Sequence, residues 1–151
     1  MKILLIRHGE ADHSGHLNEV GCEQMRRLST RVKDMGVFPR VRLFSSKAPR
    51  AFKSAMFMSD VLGVDPEADD FFFSNDATDM TVKVVELYEL VQEHEGKTDM
   101  IVIISHLEVV RDFPAYYLDM AFGKRFTKRE SEHGKGWVID CDAGTAERFA
   151  T

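Results

Sequence analysis

The sequence predicts a three-layer α/β/α sandwich with a mostly parallel central sheet that ends in an antiparallel hairpin. Three observations carry this expectation. The apolar runs KILLI (residues 2–6) and MIVII (residues 100–104) show no alternation, as strands buried on both faces should. Between them, apolar residues recur at spacings of three and four, the period of helices with one buried face. Near the C-terminus two β-type runs flank Asp142-Ala143-Gly144, residues suited to a hairpin turn. Strands alternating with helices in this way imply parallel pairing with helices on both faces.

Taken in order, residues 2–6 form the first strand. Met25, Leu28, Val32 and Met35 then share one face of a helix from about Glu19 to Met35, closed by Gly36. Val41 to Phe44 gives a short second strand, and Ser45 and Ser46 offer capping hydroxyls to the helix that follows. Ala51, Ala55, Met58 and Leu62 line that helix, which stops at Gly63. Residues 64–79 are rich in Asp, and the run Phe71-Phe72-Phe73 within them reads as a short strand or a buried anchor. A third helix spans about Thr78 to Glu95, with Val84, Leu87 and Val91 inward. After the strand at 100–104, a fourth helix covers roughly residues 108–122, where Pro114 should kink it or sit in its first turns. Gly136 to Cys141 and Thr145 to Phe149 complete the hairpin. No repeat or linker divides the chain, so residues 1–151 read as one domain.

Composition narrows the function. With 44% hydrophobic and 30% charged residues the chain resembles ordinary soluble domains, and a net charge of −5 disfavours nucleic acid or an anionic membrane as partner. The apolar run at the N-terminus is too short for a signal-peptide core or a membrane span. The two cysteines, Cys22 and Cys141, suggest neither a disulfide framework nor a zinc pair. The expected location is the cytoplasm.

In open parallel sheets, ligands bind beyond the carboxyl ends of the strands. Three of those ends carry chemistry: Arg7-His8-Gly9-Glu10 after the first strand, Ser45-Ser46 with Arg50 after the second, and Ser105-His106 after the strand at 100–104, the strongest in the chain. Two imidazoles and two guanidinium groups converging on one edge suit phosphoryl transfer. Guanidinium forks match the charge and geometry of a phosphoryl group, and imidazole is a competent nucleophile near neutral pH. Gly9 would let backbone amides approach an anion closely, and the helix after Ser46 would aim its N–H groups at the same place.

These residues carry a family resemblance. Leu4-Leu5-Ile6-Arg7-His8-Gly9-Glu10 resembles the Arg-His-Gly-Glu motif of the histidine phosphatase superfamily, which includes the cofactor-dependent phosphoglycerate mutases. The blocks Leu17 to Gln24, Ser45 to Ala55 and Ile103 to His106 are similar to the family's later motifs, in the family's order. The resemblance implies a phosphoglycerate mutase-like fold and a metal-independent phosphohydrolase needing no cofactor. His8 would form a phosphohistidine intermediate, Arg7 and Arg50 would hold phosphate oxygens, and His106 would stabilise the charge in transit. In size and layout the chain is most similar to the small SixA-like phosphohistidine phosphatases. The implied substrate is a phosphorylated small molecule or a phosphohistidine protein.

Several positions keep two readings. Where many members follow the second histidine with Gly-Gly, this chain has Leu107-Glu108. Leu107 can still offer its backbone N–H, while Glu108 is either a general acid or a solvated first-turn carboxylate. The region where members hold a proton-donating Glu reads Phe73 to Asp79 and contains none. Asp76 is the best substitute for it, or else a cap of the third helix. Ser14 is a phosphate contact or an ordinary loop serine. The histidines and carboxylates from His8 to His16 lack a rigid metal-ligand spacing, so no metal site is expected and His13 and His16 read as pocket-rim residues. A non-catalytic phosphate- or phosphopeptide-binding module on the same fold is the alternative to an enzyme.

Overall fold

A computed structural model describes residues 1–151. Six strands form one sheet: β1 (Lys2–Arg7), β2 (Val41–Ser45), β3 (Glu67–Ala68), β4 (Met100–Ser105), β5 (Gly136–Asp140) and β6 (Thr145–Phe149). Their spatial order is β3-β2-β4-β1-β5-β6. The first four are parallel, and β5 and β6 add the expected antiparallel hairpin to the edge of β1. Four helices cover the two faces: α1 (Glu19–Asp34), α2 (Pro49–Leu62), α3 (Met80–His94) and α4 (Leu107–Phe122). The predicted sandwich holds.

The apolar runs explain the layers. Side chains alternate across a strand, so a run with no polar member buries both faces. Leu4, Ile6, Met100, Val102 and Ile104 pack with Met25, Leu28 and Val32 of α1 and Ala51, Ala55 and Met58 of α2. Ile3, Leu5, Ile101 and Ile103 point the other way, onto Val84, Leu87 and Val91 of α3 and Val109, Val110 and Phe113 of α4. No helix is long and apolar enough to cross a membrane.

Local details depart from expectation in four places. The third helix is capped by Asp79, whose side chain accepts from Thr81 N, and Asp76 plays no part in it. The Phe run forms a single 3-10 turn, Asp70–Phe72, and the short strand lies just before it at Glu67–Ala68. Phe72 is the buried anchor: its ring stacks on Phe44 at 5.1 Å, and its carbonyl accepts from Ser105 Oγ at 2.6 Å. Ala48, with no side-chain cap, precedes Pro49 at the start of α2, where a missing N–H costs nothing. Ser46 caps indirectly, accepting from Ala48 N at 3.1 Å. Pro114 lies inside α4 and buried, past the second turn, where it removes the N–H that the Val110 carbonyl would have met.

The strand order positions the site. β4 lies between β1 and β2, and Arg7 pairs in register with Ser105. His8 and His106 therefore leave the sheet side by side. The end of β2, carrying Ser45 and Ser46, is one strand further on, about 5 Å from β4.

Candidate active site

At this edge a cavity of about 420 Å³ is lined by Arg7, His8, Arg50 and His106, together with residues of the 11–15 loop, the 74–76 segment, the start of α4 and His133. The structure thus brings together residues that are far apart in sequence. Arg7 and His8 follow β1, Arg50 stands in the first turn of α2, and His106 is the residue from which α4 starts.

His8 is 5% exposed. Its Nδ1 lies 2.7 Å from the Gly9 carbonyl, which can only accept, so Nδ1 carries the proton and Nε2 keeps its lone pair. Arg50 Nε donates to that Nε2 at 3.2 Å. Burial pushes the His8 imidazole down from 6.5 to about 4, reinforced by Arg50, His133 and Arg7 and opposed by the Gly9 carbonyl. His106, 3% exposed, is held 5.1 Å from His8 between ring centroids. Its Nε2 meets Ser46 Oγ at 2.9 Å, and the Phe73 ring abuts it at 4.7 Å. Burial takes it down to about 3, with His8, Arg50 and Arg7 adding to the effect. Both rings are consequently neutral at pH 7, the state in which Nε2 of His8 can act as a nucleophile.

Arg7 is fixed by its Nη1, which donates to the Ser131 carbonyl at 2.8 Å. Its Nε is buried with no hydrogen-bond partner, a charged donor left for an acceptor the protein does not supply. The N-terminal residues of α4 face the same space: Leu107 and Glu108 line the cavity, and the first N–H groups of a helix have no intrahelical acceptor. A cationic floor bordered by the first turn of α4, with a neutral imidazole in it, can hold an oxyanion and present it with a nucleophile.

The remaining residues fall as follows. Glu108 lines the cavity, accepts from Ser74 Oγ at 2.9 Å, and acts on Arg7 against the downward pull of burial. Asp76 is exposed, lines the rim and, freed from capping, makes no side-chain hydrogen bond. Ser14 does not line the cavity. Its hydroxyl donates to Asp12 Oδ1 at 2.6 Å and lies 3.0 Å from His16 Nδ1, closing the loop turn. His13 reaches the rim and His16 does not. The Gly9 amide is not open to an anion either, because it donates to Ser54 Oγ at 3.0 Å. Glycine is needed there for packing: a Cβ would come 2.7 Å from the Gly21 carbonyl oxygen and 2.8 Å from Leu17 Cδ1.

Sequence reasoning missed His133. It lies in the charged stretch between α4 and β5, which has no period to read, and its one local signal is the Gly134 that follows it. No group of His, Cys, Asp and Glu side chains has the arrangement of a metal site.

The model of the histidine phosphatase superfamily (branch 1) matches residues 3–73, a stretch that includes Arg7, His8 and Arg50. No curated protein sequence matches the chain. Among solved structures, the fold is similar to that of the protein histidine phosphatase SixA complexed with tungstate, with 19% identity, a TM-score of 0.68, and coverage of 99% of this chain and 97% of that one. It is also similar to a mycobacterial glucosyl-3-phosphoglycerate phosphatase with VO3, at 12% identity, TM-score 0.67 and 92% coverage of each chain. A mutant phosphoserine phosphatase from Entamoeba histolytica, bound to phosphoserine, shows 16% identity, TM-score 0.64 and coverage of 99% and 95%. At these identities the likeness is one of fold. The resemblance to the histidine phosphatase superfamily read from the sequence holds.

Proposed function

We propose that this chain, which carries the histidine phosphatase pattern over residues 3–73, is a metal-independent phosphohydrolase that works through a phosphohistidine on His8. The observation that carries the reading is the protonation of His8: Nδ1–H is tied to the Gly9 carbonyl, so the lone pair of Nε2 faces a cavity floored by Arg7 and Arg50. The neighbours of the same fold that hold tungstate, VO3 or phosphoserine support it.

In the first step Nε2 of His8 attacks phosphorus in line as the bond to the leaving group breaks. Arg7 offers its free Nε and Arg50 turns its donors from His8 to the equatorial oxygens. His106, steadied by Ser46, and the Leu107 N–H complete the shell around the transferring group. In the second step water attacks the phosphohistidine, neutral His8 departs and inorganic phosphate leaves. Asp76 is the proton donor we assign to the first step and the acceptor of the water proton in the second, because its carboxyl is on the rim and unengaged. Glu108, held by Ser74 and beside Arg7, serves to orient that guanidinium.

The substrate class we favour is a phosphohistidine on a protein, with small phosphomonoesters second. The acid is an exposed Asp at the rim, and imidazole departs with less protonic help than an alkoxide requires. The test is a phosphodonor incubation followed by acid and base treatment. A label on the protein that survives base, is lost in acid and is absent from His8→Ala supports the reading. A wild-type protein that binds phosphate yet never becomes labelled would instead be a binding module. Relative turnover of phosphohistidine, aryl and alkyl phosphates then ranks the substrate classes.

A further inference from the structure

The loop between α4 and β5 is stitched to the nucleophile's own strand. Gly134 N donates to both Arg7 O (3.1 Å) and His8 O (3.0 Å), Arg7 N donates to Lys135 O (2.9 Å), and Arg7 Nη1 donates to Ser131 O (2.8 Å). These bonds bracket His133 on both sides. Gly134 takes a φ of 67°, and a Cβ there would come 2.9 Å from Gln24 Cβ, so the turn admits little else. The result is a half-buried imidazole on the cavity wall, its ring 5.3 Å from that of His8 and tilted by 44°.

Apart from His13, which is exposed on the rim, three imidazoles share the cavity, and two have assigned partners: His8 with Gly9 O and Arg50 Nε, His106 with Ser46 Oγ. His133 has none in the protein, although the loop that carries it is tightly fastened. A rigidly presented ring with both nitrogens free, beside two guanidinium groups and a nucleophile, is suited to an oxyanion.

We propose that His133 is a phosphoryl-binding residue that donates a ring N–H to an oxygen of the bound phosphate. The proposal rests on the phosphohydrolase reading and adds to it a ligand that the chain's own motifs do not include. It has a consequence for protons. The charged and titratable groups facing His133 are Arg7, Arg50, His8 and Glu10. Burial and the two arginines lower its pKa, against Glu10, so the ring is neutral in the empty cavity. A phosphate dianion reverses the sign of the local field and favours the imidazolium, which has a donor on each nitrogen. Binding should then draw a proton from solvent.

Titration calorimetry of inorganic phosphate, run in two buffers of different ionisation enthalpy, measures both affinity and proton uptake. For His133→Ala the expected result is phosphate binding about tenfold weaker, with most of the proton uptake lost. His133→Gln keeps an N–H donor that cannot titrate, so it should recover affinity to within about threefold while its proton uptake stays low. Thermal melting of each variant separates lost contact from lost fold. If His133→Ala binds phosphate within twofold of wild type, or if His133→Gln retains the wild-type proton uptake, the inference is overturned and the phosphohydrolase reading stands. If wild type binds no phosphate and accepts no phosphoryl group, both fall.

Discussion

Two imidazoles buried in neutral form make the fold sensitive to mild acid, and the size of the effect follows from their environment. In the unfolded chain each histidine titrates near 6.5; in the fold burial holds His8 at about 4 and His106 at about 3. Between those values the unfolded chain binds more protons than the folded one. Stability from these groups is complete above about pH 6.5 and is lost as the pH falls toward the folded values. Integrated from pH 7.5 to pH 5, the linkage amounts to about 2 kcal/mol for each ring, or about 4 kcal/mol together. With a urea slope of about 2 kcal/mol per M, the unfolding midpoint of wild type should drop by about 2 M over that interval. His8→Asn and His106→Asn each remove one titrating ring, so each should lose about half of the pH dependence, and the double variant most of it. His94 and His133, also lowered by burial, leave a smaller slope common to all the proteins. Urea unfolding followed by circular dichroism at pH 7.5, 6 and 5 makes the comparison. A double variant as acid-sensitive as wild type would refute the neutral-pair argument.

Other outcomes follow from single contacts. Arg50→Lys replaces a planar fork by a point charge and deletes the Nε donor to His8, so kcat/KM should fall by about 100-fold in steady-state assays with little change in melting temperature. Asp76→Asn should slow alkyl phosphate hydrolysis by about 100-fold or more and phosphohistidine hydrolysis far less; equal losses on both would remove Asp76 from the proton-transfer role. Gly9→Ala drives a methyl group into the Gly21 carbonyl and Leu17, and chemical denaturation should register a loss of about 2 kcal/mol or more.

Much of the architecture could be read from the chain because burial leaves a periodic trace. Val84, Leu87 and Val91 face inward at the spacings that predicted α3, and β4, buried throughout, is the MIVII run extended by Ser105. Departures arose where several local chemistries compete for one stretch. Between residues 73 and 79 two Asp and one Asn can each cap a helix, and only the path of the chain selects Asp79. Gly9 was legible as a position requiring glycine, yet the reason lies eight to twelve residues away, in Leu17 and Gly21 packed against it.

The sequence by itself determined that Arg7, His8 and His106 emerge at strand ends and that Arg50 begins a helix, since those facts depend on runs and spacings along the chain. Only the tertiary structure decided that these ends adjoin, because neighbour order in a sheet is a choice among distant pairings that no local period encodes. Inserting β4 between β1 and β2 sets His8 beside His106. Folding the aperiodic 123–135 segment back onto Arg7 and His8 brings His133 to the same cavity, through backbone hydrogen bonds that leave no periodic trace in the side chains.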